Sequence, residues 1–150
     1  MLTAQDVMTR EVVSVTADTA IEDLARLLVE KKVSAVPVVG DDRRLVGIIS
    51  EGDLLQRDKP LHIPTVISIF DWVLYLESSK KFETELKKVT AQKVGELCTR
   101  NVVTCSPATP LTEVAQLMVS RHVHLIPVVD EQKKVVGVVA RLDVIRSLEL

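Results

Sequence analysis

The chain has 150 residues, enough for one domain that buries about 68–70% of the surface its unfolded form exposes. Hydrophobic residues make up 47% and charged residues 27%, interspersed, which excludes a disordered chain. Nineteen basic against twenty-one acidic residues leave a formal charge of −2, without the cationic footprint that nucleic-acid binding requires.

The N-terminal MLTAQDVMTREVV lacks the basic region and apolar core of a signal peptide. The longest apolar tract, 63–76, is interrupted by Pro64, Thr65, Ser68 and Asp71 and is too short to span a bilayer. Cys98 and Cys105 fit neither a C-x-x-C motif nor a disulfide framework. The expectation is a soluble, reduced, cytoplasmic protein that does not engage membranes.

In chain order, Val12, Val13 and Val15 give a short strand-like run. Ile21, Leu24, Ala25 and Leu28 then recur at i, i+3, i+4 and i+7, the stripe of an amphipathic helix. Thr19 followed by Glu22 predicts a capping box at its start. Runs 36–39 and 45–49 read as strands joined by the polar turn GDDRR, and a short helix follows Ser50.

Residues 56–93 interrupt this pattern and hold every aromatic of the chain, Phe70, Trp72, Tyr75 and Phe82. Ser78-Ser79 predict a cap for the charged amphipathic helix KKFETELKKV. The segment either covers an edge of the domain or forms a dimer or partner surface, where Trp and Tyr concentrate.

From residue 94 the first pattern returns. Residues 7–55 align with 97–145 at a constant offset of ninety without a gap, and fifteen of the forty-nine positions are identical. Pro37/Pro127, Gly47/Gly137 and Asp53/Asp143 share that register, which marks a tandem duplication. In the second copy Pro110 follows Thr109, the favoured first helical position, and DEQKK replaces GDDRR. The organisation is therefore 1–55, an insert 56–93, and 94–150. Each copy reads β-α-β-β-α and is too small to bury its own apolar faces. The predicted fold is α/β (α+β), two such units packed sheet to sheet about a pseudo-two-fold axis, with a cleft on that axis.

Two residue patterns invite a chemical reading. Ser50 and Asp53 have the spacing of an N-cap and an acid in the first helical turn. The alternative is a carboxylate that accepts hydrogen bonds from both hydroxyls of a ribose. In the second copy Ala140 and Arg141 replace Ser50 and Glu51, so the two clefts are not expected to be equivalent. His122 and His124 with the two cysteines match no metal-finger spacing, and no nucleophile–base pair or Gly-rich phosphate loop is present, so neither a metal nor an enzyme is predicted.

The stretches DVMT…VVSV…TAIEDLARLLVEKKVSAVPVV…RLVGIISEGDLL and LCTR…VVTC…TPLTEVAQLMVSRHVHLIPVV…VVGVVARLDVI each resemble a CBS motif, and the tandem resembles a CBS pair, or Bateman module. The resemblance implies a regulatory module without catalysis. It would bind an adenosine-containing ligand such as AMP, ADP, ATP or S-adenosylmethionine, form a homodimer, and act on an effector protein. It implies one site of Ser50, Asp53, Cys98, Val103, Val123 and His124, the better equipped of the two. A second would hold Asp143 with Met8, Val13, Val33 and Ser34, and Ser34, like His124 in the first, matches a family position that can reach phosphates. Arg141 beside Asp143 either approaches a phosphate or stands as a solvated surface residue. A ligand-free dimerisation or protein-interaction module is the rival reading.

Overall fold

The computed structural model describes residues 1–55 and 92–148. The expectations placed on 56–91, including the four aromatics, the KKFETELKKV helix and a partner surface, lie outside the described residues.

The first half contains α1 (Ala4–Val7), α2 (Ile21–Lys31), β1 (Ala35–Val39), β2 (Leu45–Ser50) and α3 (Glu51–Leu55). The second contains α4 (Val94–Leu97), α5 (Leu111–Arg121), β3 (Leu125–Val129), β4 (Val135–Ala140) and α6 (Arg141–Ser147). Each element begins ninety residues after its counterpart, as Ile21 and Leu111, or Leu45 and Val135, show. The fold is mixed helix and strand, with two small antiparallel sheets, β1–β2 and β3–β4.

The registers also repeat: Val36 faces Ile49 and Ile126 faces Val139, and a bulge follows Val38 and Val128. Pro37 sits mid-strand without cost. Its carbonyl accepts from the Val15 N–H at 3.1 Å, so its missing donor lies on the side away from β2. The strand expected over Val12, Val13 and Val15 contracts to that contact, a single parallel bridge between Val15 and Val38, matched by Cys105 and Val128.

The helical stripe is buried as its spacing requires. Ile21, Leu24, Ala25 and Leu28 face one core with Val36, Val38 and Ile49, and Leu111, Val114 and Met118 face a second with Ile126, Val128 and Val139. Each such aliphatic side chain contributes roughly 1.5–3 kcal/mol on full burial.

The helix starts differ from the prediction. Ala20 and Pro110 are the N-caps, so Thr19 does not cap α2 and Pro110 stands one position before the first helical residue. The Thr19 hydroxyl instead accepts from the Thr16 N–H at 3.1 Å, as Thr109 does from Ser106 at 3.0 Å. Glu22 pairs with Arg26, one turn along the helix.

The first N–H groups of α2 and α5 are satisfied across the pseudo-symmetry: Ile21 N–H donates to the Gln92 carbonyl and Leu111 N–H to that of Leu2. In return Val94 and Gly95 donate to Thr19 and Ala17, and Ala4 and Gln5 to Thr109 and Pro107. The lead-in of each copy thereby joins the core of the other. Val94 and Leu97 complete the first core, and Ala4, fully buried, belongs to the second. Thr9 and Val138 exchange both backbone hydrogen bonds, as Thr99 and Ile48 do, and Leu45 N–H reaches the Lys133 carbonyl between the two hairpins.

Candidate functional site

Sheet-to-sheet packing leaves two cavities between the halves. One, of about 220 Å3, is lined by Ser50 and Asp53 of the first half and by Thr99, Asn101, Val103, His122, Val123 and His124 of the second. The other, of about 320 Å3, is lined by Asp143, Ala140, Arg141 and Arg146 of the second half and by Thr9, Glu11, Val13, Lys32 and Val33 of the first. Each cavity thus sets the helix-start aspartate of one copy against valines of the other, and the larger also holds Glu11 and Val138. Ser34, Ala35, His124 and Leu125 line both, forming a common wall.

The wall is fixed by backbone bonds at the starts of β1 and β3. The Ser34 carbonyl accepts from Glu51 N–H at 2.8 Å, and the His124 carbonyl from Arg141 N–H at 3.1 Å. Those bonds tie the first residues of α3 and α6, and therefore Asp53 and Asp143, to the mouth of each cavity.

Asp53 Oδ2 accepts from the Ser50 N–H at 2.8 Å and from its hydroxyl at 3.2 Å, while Ser50 Oγ accepts from Asp53 N–H at 3.4 Å. In the second half only the first of these exists, Ala140 N–H to Asp143 Oδ2 at 2.8 Å, because Ala140 has no hydroxyl. Capping and ligand contact are therefore not alternatives at these positions. The bond to the cap orients a half-buried carboxylate whose surroundings form a cavity. The same pattern recurs at α1, where Thr3 donates through N–H and hydroxyl to Asp6. Those bonds hold the Asp6 carboxyl below its ordinary value of 3.8. Asp6 lines none of these cavities, so there the motif is a cap alone.

Two residues expected in the clefts are elsewhere. Met8 lies across Gly137 and packs on the second core, and Cys98 packs against Gly47 and the first core. Both close the floor of β4 or β2 rather than lining a cavity. Ser34 and His124, expected in one site each, face both. Sequence reasoning missed Thr99, Asn101 and His122 in the smaller cleft, and Thr9, Glu11, Lys32 and Arg146 in the larger. The offset of ninety would have found three pairs of them, Thr9/Thr99, Glu11/Asn101 and Lys32/His122.

The residues considered for a metal do not converge: Cys98 belongs to the first core and Cys105 is buried in the second. Among the described residues no group of three or more His, Cys, Asp or Glu gathers as a metal site would require, and no helix is long and apolar enough to cross a membrane.

A duplicated α+β unit whose halves share two clefts, each with one oriented carboxylate and aliphatic walls, defines a tandem-motif pair. The chain belongs to the CBS domain family, whose model matches residues 4–59 and 94–150. It is 33% identical over 153 residues to the uncharacterised protein MJ1426 of Methanocaldococcus jannaschii, covering 96% of this chain and 89% of that protein. It is 34% identical over 138 residues to the chloroplastic CBS domain-containing protein CBSX2 of Arabidopsis thaliana, covering 86% of this chain but 55% of that one. The crystal structure of CBSX2 in complex with AMP matches with a TM-score of 0.74 at 28% identity, over 99% of this chain and 97% of that one. The CBS domain pair of protein MJ0100, in complex with 5′-methylthioadenosine and S-adenosyl-L-methionine, shares the fold with a TM-score of 0.71 at 21% identity, over 99% and 97%.

Proposed function

We propose that this protein is a regulatory, ligand-sensing module that holds an adenine nucleotide or another adenosyl compound, of the class of AMP, ADP, ATP or S-adenosylmethionine, between its two halves. The observation that carries this reading is that each cleft sets the helix-start aspartate of one copy, Asp53 or Asp143, against valines of the other. The complex of the related CBSX2 with AMP supports the ligand class. Asp53 and Asp143 accept hydrogen bonds from ribose hydroxyls. Val103 and Val123, or Val13 and Val33, form the flat aliphatic walls that an adenine face requires. No chemical step is assigned to the chain. A ligand that binds both halves changes their relative arrangement only through its differential affinity for two states, about 1–3 kcal/mol for ordinary coupling.

Homodimerisation belongs to the same reading. Grooves of about 440 and 430 Å3 run between α2 and α3 and between α5 and α6, lined by Leu28, Val29 and Leu55 and by Met118, Val119 and Ile145. Val29 is 64% and Val119 75% exposed, apolar surface that a second copy would cover. A reducing, cytoplasmic setting is supported by two free cysteines. The same exposed faces favour the second reading, a dimerisation or effector-binding module that needs no ligand.

Titration calorimetry with AMP, ADP, ATP, S-adenosylmethionine and NAD separates the two. Saturable binding to at least one, lost when Asp53 and Asp143 are both replaced by Ala in a folded protein, supports the sensor. Silence across the whole panel leaves the interaction module.

A further inference from the structure

The two clefts abut across the residues where β1 and β3 begin, since Ser34, Ala35, His124 and Leu125 face both cavities. The valine walls, by contrast, are backed by close-packed side chains. Val103 and Val123 of the smaller cleft pack on the second core, and Val13 and Val33 of the larger on the first. The smaller cleft, at about 220 Å3, lies below the roughly 300 Å3 at which small-molecule pockets begin. A ligand there gains room most readily by moving the common wall toward the larger cleft.

The wall is also bonded across to the opposite cleft. Val33 lines the larger cleft, and the next residue, Ser34, accepts through its carbonyl from Glu51 N–H at 2.8 Å, at the start of the helix that carries Asp53. Val123 lines the smaller cleft, and His124 accepts from Arg141 N–H at 3.1 Å, at the start of the helix that carries Asp143. Each strand start therefore joins the aliphatic wall of one cleft to the aspartate of the other. A shift in the first reaches the second through one residue and one hydrogen bond.

We propose that the two clefts are negatively coupled, so that a ligand in one draws the common wall and the attached helix start out of the arrangement the other needs. This rests on the reading of both clefts as adenosyl sites and concerns how their occupancies depend on one another. The sign follows from volume. Space gained by the smaller cleft is taken from the larger, and a ligand in the larger holds the wall against the smaller. The bulk of the wall is unequal, because the repeat sets the imidazole of His124 against the short side chain of Ser34. His124 is the larger group to displace, and it belongs to neither core.

The test is titration calorimetry on the full chain with AMP, ADP, ATP, S-adenosylmethionine and NAD, continued with the tightest binder of the five. Asp53→Ala and Asp143→Ala each impair one cleft and give the association constant of the other. Circular dichroism establishes that each variant is folded, and Asp53→Asn or Asp143→Asn replaces an alanine variant that is not. For independent clefts, the two stepwise constants of wild type multiply to the product of the single-cleft constants. The wild-type product is expected to fall short by about tenfold, or wild type to bind one equivalent while each variant also binds one. In a His124→Ser background, where the two wall residues match, the shortfall is expected to shrink severalfold. A wild-type product equal to or above that of the single clefts would overturn the proposal. So would a shortfall unchanged by His124→Ser, or a folded variant of either aspartate that binds nothing. Those results leave adenosyl binding standing, whereas a wild-type protein that binds none of the five removes the underlying reading itself.

Discussion

A methyl group on Gly47 would lie 2.7 Å from the backbone carbonyl oxygen of Thr99. That closeness is what allows Thr99 and Ile48 to exchange their two backbone hydrogen bonds at 2.9 Å and so fasten the lead-in of the second copy to the first sheet. Its counterpart, Gly137, is covered by the side chain of Met8 rather than by backbone. A thioether chain moves aside and a hydrogen-bonded peptide does not. Gly47→Ala is therefore expected to destabilise the protein by about 1–3 kcal/mol, the usual cost of overpacking, and Gly137→Ala by distinctly less. Urea denaturation midpoints of the two variants measure the order, and an equal or inverted order contradicts it.

The caps of α3 and α6 differ by one hydroxyl. Ser50 supplies an acceptor to the Asp53 N–H that Ala140 cannot supply to Asp143. Ser50→Ala is expected to cost about 0.5–2 kcal/mol. Ala140→Ser is expected to stabilise by up to about 1 kcal/mol, a rise in Tm of about 2–4 °C for a chain of this size. Thermal unfolding of the two single variants, followed by circular dichroism, checks both signs.

What the sequence made legible followed from the repeat. Pro37/Pro127 and Asp53/Asp143 lie in equivalent places because one backbone pattern was duplicated, and the stripe Ile21–Leu24–Ala25–Leu28 is buried because a 3.6-residue period admits one face. The misplaced caps have a non-local cause. Thr-x-x-Glu before an apolar run is a good local signal, but the Ile21 N–H is served by Gln92, seventy-one residues further along the chain. That contact relieves Thr19 of the task and lets its hydroxyl turn back to Thr16. The same exchange removes Met8 and Cys98 from the clefts, since both close a glycine of the opposite copy. Helices α1 and α4, one turn each, carry no periodic signal and exist through the loop carbonyls that receive their first N–H groups.

Both long helices end on a residue in the left-handed region, Lys32 at φ 54° and His122 at φ 55°. For a residue with a Cβ that conformation costs roughly 1–2 kcal/mol, and the greater freedom of glycine in the unfolded chain returns only part of it. His122→Gly is expected to stabilise by about 0.5–1 kcal/mol and His122→Val to destabilise, with the Met118 carbonyl still accepting the cap N–H in the first. A lowered Tm in His122→Gly would show that the imidazole contributes more than its backbone costs.

The two cysteines are expected to behave differently toward thiol reagents and alkali. Burial, and secondarily the charge of Glu113, push the Cys105 thiol up from 9.0 to about 11. Only the thiolate reacts, and Cys105 is both buried and held as the thiol, so at pH 8 the less buried Cys98 is expected to be labelled first. Cys105 should follow only on unfolding. The shift also carries a sign for stability. Between pH 9 and 11 the unfolded chain releases this proton while the folded chain keeps it, so the contribution is whole below pH 9 and falls as pH rises toward 11. The comparison with Cys105→Ala isolates the thiol. The fall in Tm from pH 8 to pH 10.5 should be smaller in that variant than in wild type, and an identical fall in both would place no strain on a buried neutral thiol at this position.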